Sequence, residues 1–217
     1  MSAQPATPAR RETALRGTRE ALVAMAVFLG VLWAVQIADS LTHYSLLRWG
    51  IMPRQVGRLE DVLTAPFIHA SYTHLVDNSL PLLVLGFIAA LRGVGRWLGV
   101  TLMIIVMSGL GVWLTSPSGS DTVGVSGVIF GYFAYLVARG VIERRLIDLA
   151  VGLLVGILYW SLLPGILPGH YGISWQAHFF GLLGGILAAW LFRRRVATTS
   201  APAGKDRWSP APPRLTG

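Results

Sequence analysis

The chain contains no cysteine, and that absence removes a disulfide scaffold, a thiol nucleophile and any cysteine-ligated metal or iron–sulfur centre. It is also poor in charge: 13% of its 217 residues are Asp, Glu, Lys or Arg, about half the roughly 25% of a soluble domain. Lysine is nearly missing, with Lys205 alone among 18 Lys and Arg residues. No His-Glu-x-x-His string occurs, which excludes the helix of a zinc protease. Paired aspartates in Tyr-Asp and Gly-x-Gly-Asp settings are absent as well, so aspartyl chemistry inside a membrane has no residues to use. Alternating segments of about ten residues, the mark of a membrane β-barrel, are not found, and no internal repeat supports an inverted-repeat transporter.

What is present is apolar: 53% of the chain is hydrophobic. At about 20 residues per bilayer crossing, runs of spanning or near-spanning length fall near 21–40, 75–91, 97–115, 127–142, 146–163 and 175–192. A bilayer leaves no water to satisfy backbone groups, so these runs are expected as helices despite their many Val and Ile residues. The expected fold is an all-α polytopic membrane protein, a six-helix bundle with a long first external loop over 41–73. Residues 1–20 read as a basic amino tail and 21–195 as the membrane domain. Residues 196–217, with Pro202, Pro210, Pro212 and Pro213, read as a disordered tail.

The formal charge of +8 would suit a nucleic-acid partner, but its position decides against one. Arg10, Arg11, Arg16 and Arg19 precede the first apolar run, and Arg193, Arg194, Arg195, Lys205, Arg207 and Arg214 follow the last. Adding Arg92, Arg96, Arg139, Arg144 and Arg145 gives fifteen basic residues on the side that holds both termini, against Arg48, Arg54 and Arg58 on the other. The positive-inside rule then puts both termini in the cytoplasm. The first run is long for a signal peptide and lacks a small-x-small cleavage site, so it is read as a retained helix. The arginine bias and compact plan point to a bacterial plasma membrane. In the first loop, Leu46, Leu47, Trp49, Ile51 and Met52 among arginines suggest a segment lying in the headgroup boundary.

Polar groups inside membrane helices are costly and raise a functional hypothesis. Three sites qualify: His69 to Asn78 at the start of the second helix, Gly124-Val-Ser126-Gly127 at the head of the fourth, and His178-Phe-Phe-Gly181 in the sixth. Each alone has a structural explanation. Ser126 could cap a helix or permit close packing, His74 and Asn78 could be hydrogen-bond glue between helices, and His178 could be a histidine bonded to a neighbouring carbonyl. Together they say more. Gly181 and Gly185 share a face with His178, and Gly127, Gly131 and Ala134 form a small face beside Ser126. Two such faces let backbones approach, bringing a hydroxyl within reach of an imidazole, the geometry of a base-activated nucleophile. His74 and Asn78, one turn apart, could donate to an oxyanion.

At these positions the sequence resembles the rhomboid family of intramembrane serine proteases. His69, His74 and Asn78 match its H-x-x-x-x-H-x-x-x-N pattern, Gly124, Ser126 and Gly127 its G-x-S-G, and His178, Gly181 and Gly185 its H-x-x-G-x-x-x-G. The resemblance covers about 41–192. It implies Ser126 as nucleophile, His178 as general base, and His74, Asn78 and the backbone N–H of Ser126 as the oxyanion site. Phe130 stands where the family often has a tyrosine packed on the catalytic histidine. The role of His69 stays open, with a structural one favoured. Asp77 is either an electrostatic neighbour of the histidine or a carboxylate facing a water-filled cavity. Asp39, Asp121 and Asp148 lie outside the motifs, and His43 and His170 read as solvated loop residues.

The expected function is a Ser–His endopeptidase cutting the transmembrane or juxtamembrane segment of single-pass proteins in the lipid bilayer. No metal, nucleotide or organic cofactor and no nucleic acid is implied. Residues 162–170, rich in Gly and Pro, are read as a mobile cap and the fifth helix as a lateral gate. The alternative is a rhomboid-like protein that binds membrane helices without cutting them.

Overall fold

The computed structural model describes residues 8–169 and 172–193. Six apolar helices follow in the expected order: α1 (Pro8–Leu41), α2 (Tyr72–Ala90), α3 (Val94–Thr115), α4 (Ser126–Glu143), α5 (Leu146–Leu158) and α6 (Trp175–Leu191). The carboxyl tail expected from 196 onward, and His170, lie outside the described residues. α1 starts well before its apolar run, so much of the amino segment expected as a tail is helical. Its Ala, Leu, Arg and Glu residues favour helix, and Arg16 pairs with Glu20 one turn on at 3.0 Å.

The first four of these helices are each long and apolar enough to cross a membrane. The fifth differs from expectation. It stops at Leu158 and reaches spanning length only with a 3-10 segment, Trp160–Ile166, set at 66° to it. Pro164, within that segment, has no N–H for the carbonyl one turn back and disfavours α-helix in the residue before it, so α5 cannot run on through these residues as a regular helix. α6, 17 residues long, is apolar and shorter than the first four.

α4 is the central element. Two-thirds of its span (67%) is buried, against 28% for α1, whose outer face exposes Leu22, Val27 and Ile37. It packs on α6, α5 and α2, around fully buried Leu75, Leu82, Leu85, Ile104, Tyr132 and Leu136. The buried Tyr132 hydroxyl lies 2.6 Å from Thr101 Oγ1, which gives its own proton to the Trp97 carbonyl at 2.7 Å. Tyr132 is therefore the donor, and both hydroxyls are satisfied. At one end of the bundle Asp148 of α5 pairs with Arg92 of the α2–α3 connection and with Arg139 of α4, all largely buried. Losing one partner there would strand the others' charge.

The face shared by α4 and α6 is built from glycine. A Cβ on Gly181 would collide with the carbonyl of Gly127, and one on Gly185 with that of Gly131. The small faces expected on these two helices thus meet, backbone against backbone.

The first long loop departs in part from the expected interfacial segment. Of its five named apolar residues, Trp49 alone is exposed; Ile51 is buried, and Leu46, Leu47 and Met52 are half-buried. The loop folds onto the bundle as short helical turns, Ser45–Trp49, Val56–Arg58, Asp61–Thr64 and Ala65–Phe67. Arg54 pins it to the end of α3 by donating to the carbonyls of Leu114 and Ser116 at 3.3 and 2.8 Å.

Gly181→Ala or Gly185→Ala should destabilise the bundle by about 1–3 kcal/mol through overpacking. Gly156→Ala in α5, where nothing lies within 4 Å, should be neutral or mildly stabilising. Thermal unfolding of detergent-purified protein checks this, and equal tolerance at 156 and 181 would contradict the close approach.

Candidate active site

Three helix starts converge. α2 is capped by Ser71, whose side chain accepts the His74 N–H at 3.1 Å, and α6 by Ser174, which accepts from Ala177 at 3.3 Å. These caps fix the first turns carrying His74 and His178. α4 has no such cap. Its N-cap residue is Val125, with no side-chain hydrogen bond, and Ser126 is its first helical residue. The capping explanation of Ser126 is therefore excluded, because its hydroxyl is directed to another helix.

Ser126 Oγ lies 2.8 Å from His178 Nε2. His178 Nδ1 lies 2.9 Å from the Gly165 carbonyl. A carbonyl can only accept, so Nδ1 carries the proton and Nε2 presents its lone pair to the serine. Phe130 stacks on the imidazole with centroids 4.0 Å apart and planes 9° from parallel. Ring and tautomer are thus both fixed without a carboxylate. Gly165 has no room for a side chain, since a Cβ would stand 2.9 Å from Phe130 Cζ and 3.1 Å from His178 Nδ1.

The strand leading into Ser126 is held just as closely. Gly124 has φ +112°, a conformation suited to glycine, and a Cβ there would stand 2.7 Å from His74 Cε1. Its N–H donates to Ala65 at 3.0 Å. His69, almost fully buried, accepts the Val125 N–H through Nε2 at 3.4 Å. Burial, with His74 nearby, pushes the His69 pKa down to about 3, so the ring is neutral and can accept. Ser108 of α3 donates to the Ala177 carbonyl at 2.8 Å, fixing the residue before His178.

A cavity of about 380 Å³ is lined by Ser126, His178, Asn78, Asp77, Phe130 and Gly165. Asn78 is 8% exposed, and its amide nitrogen has no partner among the described residues. Such a buried, unsatisfied donor is costly in a purely structural role. Asp77 is exposed on the cavity wall. His74, packed against Gly124, lines a second cavity of about 500 Å³. Ser126, His178 and Asn78 therefore share one space, and His74 approaches from the neighbouring one. His43 is exposed in the α1 turn. Asp39 accepts from the Leu46 N–H at 2.7 Å, Asp148 sits in its arginine network and Asp121 in the wall of the second cavity.

Sequence reasoning missed Gly165, Ser108 and the two serine caps. Gly165 acts through its carbonyl, which every residue has, so only the Pro-Gly pair pointed to that segment. Ser71 and Ser174 were legible in principle, as cap-type residues three or four positions before each histidine.

Comparison with known proteins agrees with this architecture. Residues 55–195 match the Rhomboid domain. The chain is 39% identical over 193 residues to protein ML1171 of Mycobacterium leprae, covering 85% of this chain and 74% of that one. It is 38% identical over 188 residues to protein Mb1372 of Mycobacterium bovis, with 83% and 75% covered. With the Bacillus subtilis protein named "Putative rhomboid protease YdcA" it shares 30% identity over 168 residues, 74% of this chain and 76% of that one. The chain belongs to the rhomboid family and is a multi-pass helical membrane protein.

His69→Phe leaves the Val125 N–H without an acceptor, at a cost of about 1–3 kcal/mol. A lowered unfolding midpoint and slower reaction of Ser126 with a fluorophosphonate are expected together. Unchanged values for both would mean that His69 does not hold this strand.

Proposed function

We propose that this protein is an intramembrane serine endopeptidase that cuts the transmembrane or juxtamembrane segment of single-pass membrane proteins. The observation that carries the reading is the Ser126–His178 contact of 2.8 Å with Nδ1 engaged by Gly165, which leaves Nε2 as an acceptor. Ser126 gives its proton to Nε2 as Oγ attacks the scissile carbonyl. The oxyanion that forms is met by the Asn78 amide, by His74, and by the Ser126 N–H, which at a helix start has no intrahelical partner. His178 then returns the proton to the leaving amine, releasing one product and an acyl-serine. Water, activated by the same imidazole, hydrolyses the ester and restores Ser126.

Several features support the reading. The unpartnered Asn78 nitrogen and Ser126 line the same cavity, family membership brings a prior of serine proteolysis, and a merely structural Ser126 would not need a tautomer-fixed imidazole. The fifteen-to-three distribution of basic residues favours both termini on the cytoplasmic side of a plasma membrane.

Ser126→Ala and His178→Ala should each abolish cleavage of a single-pass reporter in folded protein, and the double variant should lose no more, because nucleophile and base act as a unit. Asn78→Ala should lose about 10- to 1000-fold, since other oxyanion donors remain. A fluorophosphonate should label wild type and fail on Ser126→Ala. Cleavage by well-folded Ser126→Ala would end the reading.

A further inference from the structure

The two cavities beside Ser126 share more than a wall. The first holds Ser126, His178 and Asn78, with Asp77 on its side. The second holds His74, Ser116 and Gln176, with Asp121 on its side. Ile173 borders both, so the second cavity adjoins the one that holds Ser126. Each also holds a buried polar group without a partner: the Asn78 amide nitrogen in the first, and in the second the hydroxyl of Ser116, which is 3% exposed. Unpartnered groups of this kind suit the backbone of an extended chain laid across both spaces.

Both carboxylates are solvent-exposed and open. Among the described residues no Arg or Lys lies within 4.0 Å of either. Two of the three loop arginines are engaged elsewhere. Arg58 pairs with Asp61 at 2.7 Å, and Arg54 holds the Leu114 and Ser116 carbonyls and, at 2.6 Å, the Ser118 hydroxyl. No hydrogen bond joins His74 to either carboxylate among the described residues. A chain laid through both cavities therefore meets one carboxylate in the space that holds the nucleophile and another in the space beside it.

Resting on the protease reading, we infer that the substrate carries a basic side chain, Lys or Arg, on each side of the scissile bond, one facing Asp77 and the other Asp121. Charge at such places selects partners more than it tightens them, by favouring the opposite sign and opposing its own. It also names an unusual substrate class, because membrane proteins concentrate basic residues at the opposite, cytoplasmic end of their helices.

The test uses the full chain in liposomes and a single-pass reporter with small residues at the cut, which mass spectrometry locates. Lys, Gln or Glu is then placed singly at each of five positions on either side, and kcat/KM is expressed as a ratio to the Gln reporter of the same enzyme. Lys should raise that ratio about 1.5- to 5-fold at one position on each side, the range of exposed ion pairs, and Glu should lower it. Asp77→Asn should remove the preference on one side only and Asp121→Asn on the other, while Asp77→Lys should turn preference toward Glu. The wild-type ratios need no variant to fold. If wild type cuts the Gln reporter and shows no charge preference, or if neither Asn variant changes it, the inference is overturned and the protease reading stands. If wild type cuts no reporter and is not labelled by a fluorophosphonate, both fall.

Discussion

The contact on which the rest of this molecule depends is the meeting of α4 and α6 through glycine. Hydroxyl and imidazole belong to residues 52 positions apart, on two different helices. Neither side chain is long, so the distance between them is set by the distance between backbones. Gly127 under Gly181 and Gly131 under Gly185 remove every side-chain atom that could hold those backbones apart. In a bilayer, where lipid tails are as apolar as leucine, close packing of this kind is itself the force that joins helices. The surface that assembles the bundle is therefore the surface that sets the Ser–His distance.

Around that contact, each polar group at the helix starts has one use. Serines cap α2 and α6, and the start of α4 is left bare. Neutral His69 takes the Val125 N–H, and Ser108 takes the Ala177 carbonyl's free lone pair. The first long loop, instead of resting wholly in the headgroup region, supplies Ala65 as an acceptor for Gly124. The strand before Ser126 is thus gripped from α2, from the loop and from the glycine conformation at 124, and this precision is of the sort that proximity effects require.

Much of this was legible in the sequence, and the reasons differ by residue. Six apolar runs predict six helices because the bilayer forbids unsatisfied backbone. Gly181 and Gly185 were readable because three- and seven-residue spacing from His178 fixes their face. The break after Leu158 was harder: the run to residue 163 stays strongly apolar apart from Asp148 and Ser161, and Pro164, the first proline after the break, lies within the 3-10 segment and not at the bend. The inward turn of Ile51 was not legible, since an apolar loop residue among arginines suits lipid and protein equally. Gly165 left almost no trace, because its contribution is a carbonyl. The site's side chains could be found from spacing; the backbone atom that orients one of them could not.

That backbone atom ties two movements together. Gly165 sits in the segment that overlies the cavity, and its carbonyl is also what holds the proton on His178 Nδ1. Any displacement that lifts the segment to admit a polypeptide also takes the acceptor away from the imidazole, freeing the ring to reorient or change tautomer. A site built this way would act as an interlock, armed with the segment in place and disarmed with it displaced, unless an incoming chain or a water restored the missing acceptor. Under the protease function proposed above such wiring would be useful, because a helix that merely brushed past an open mouth would meet a base not yet set.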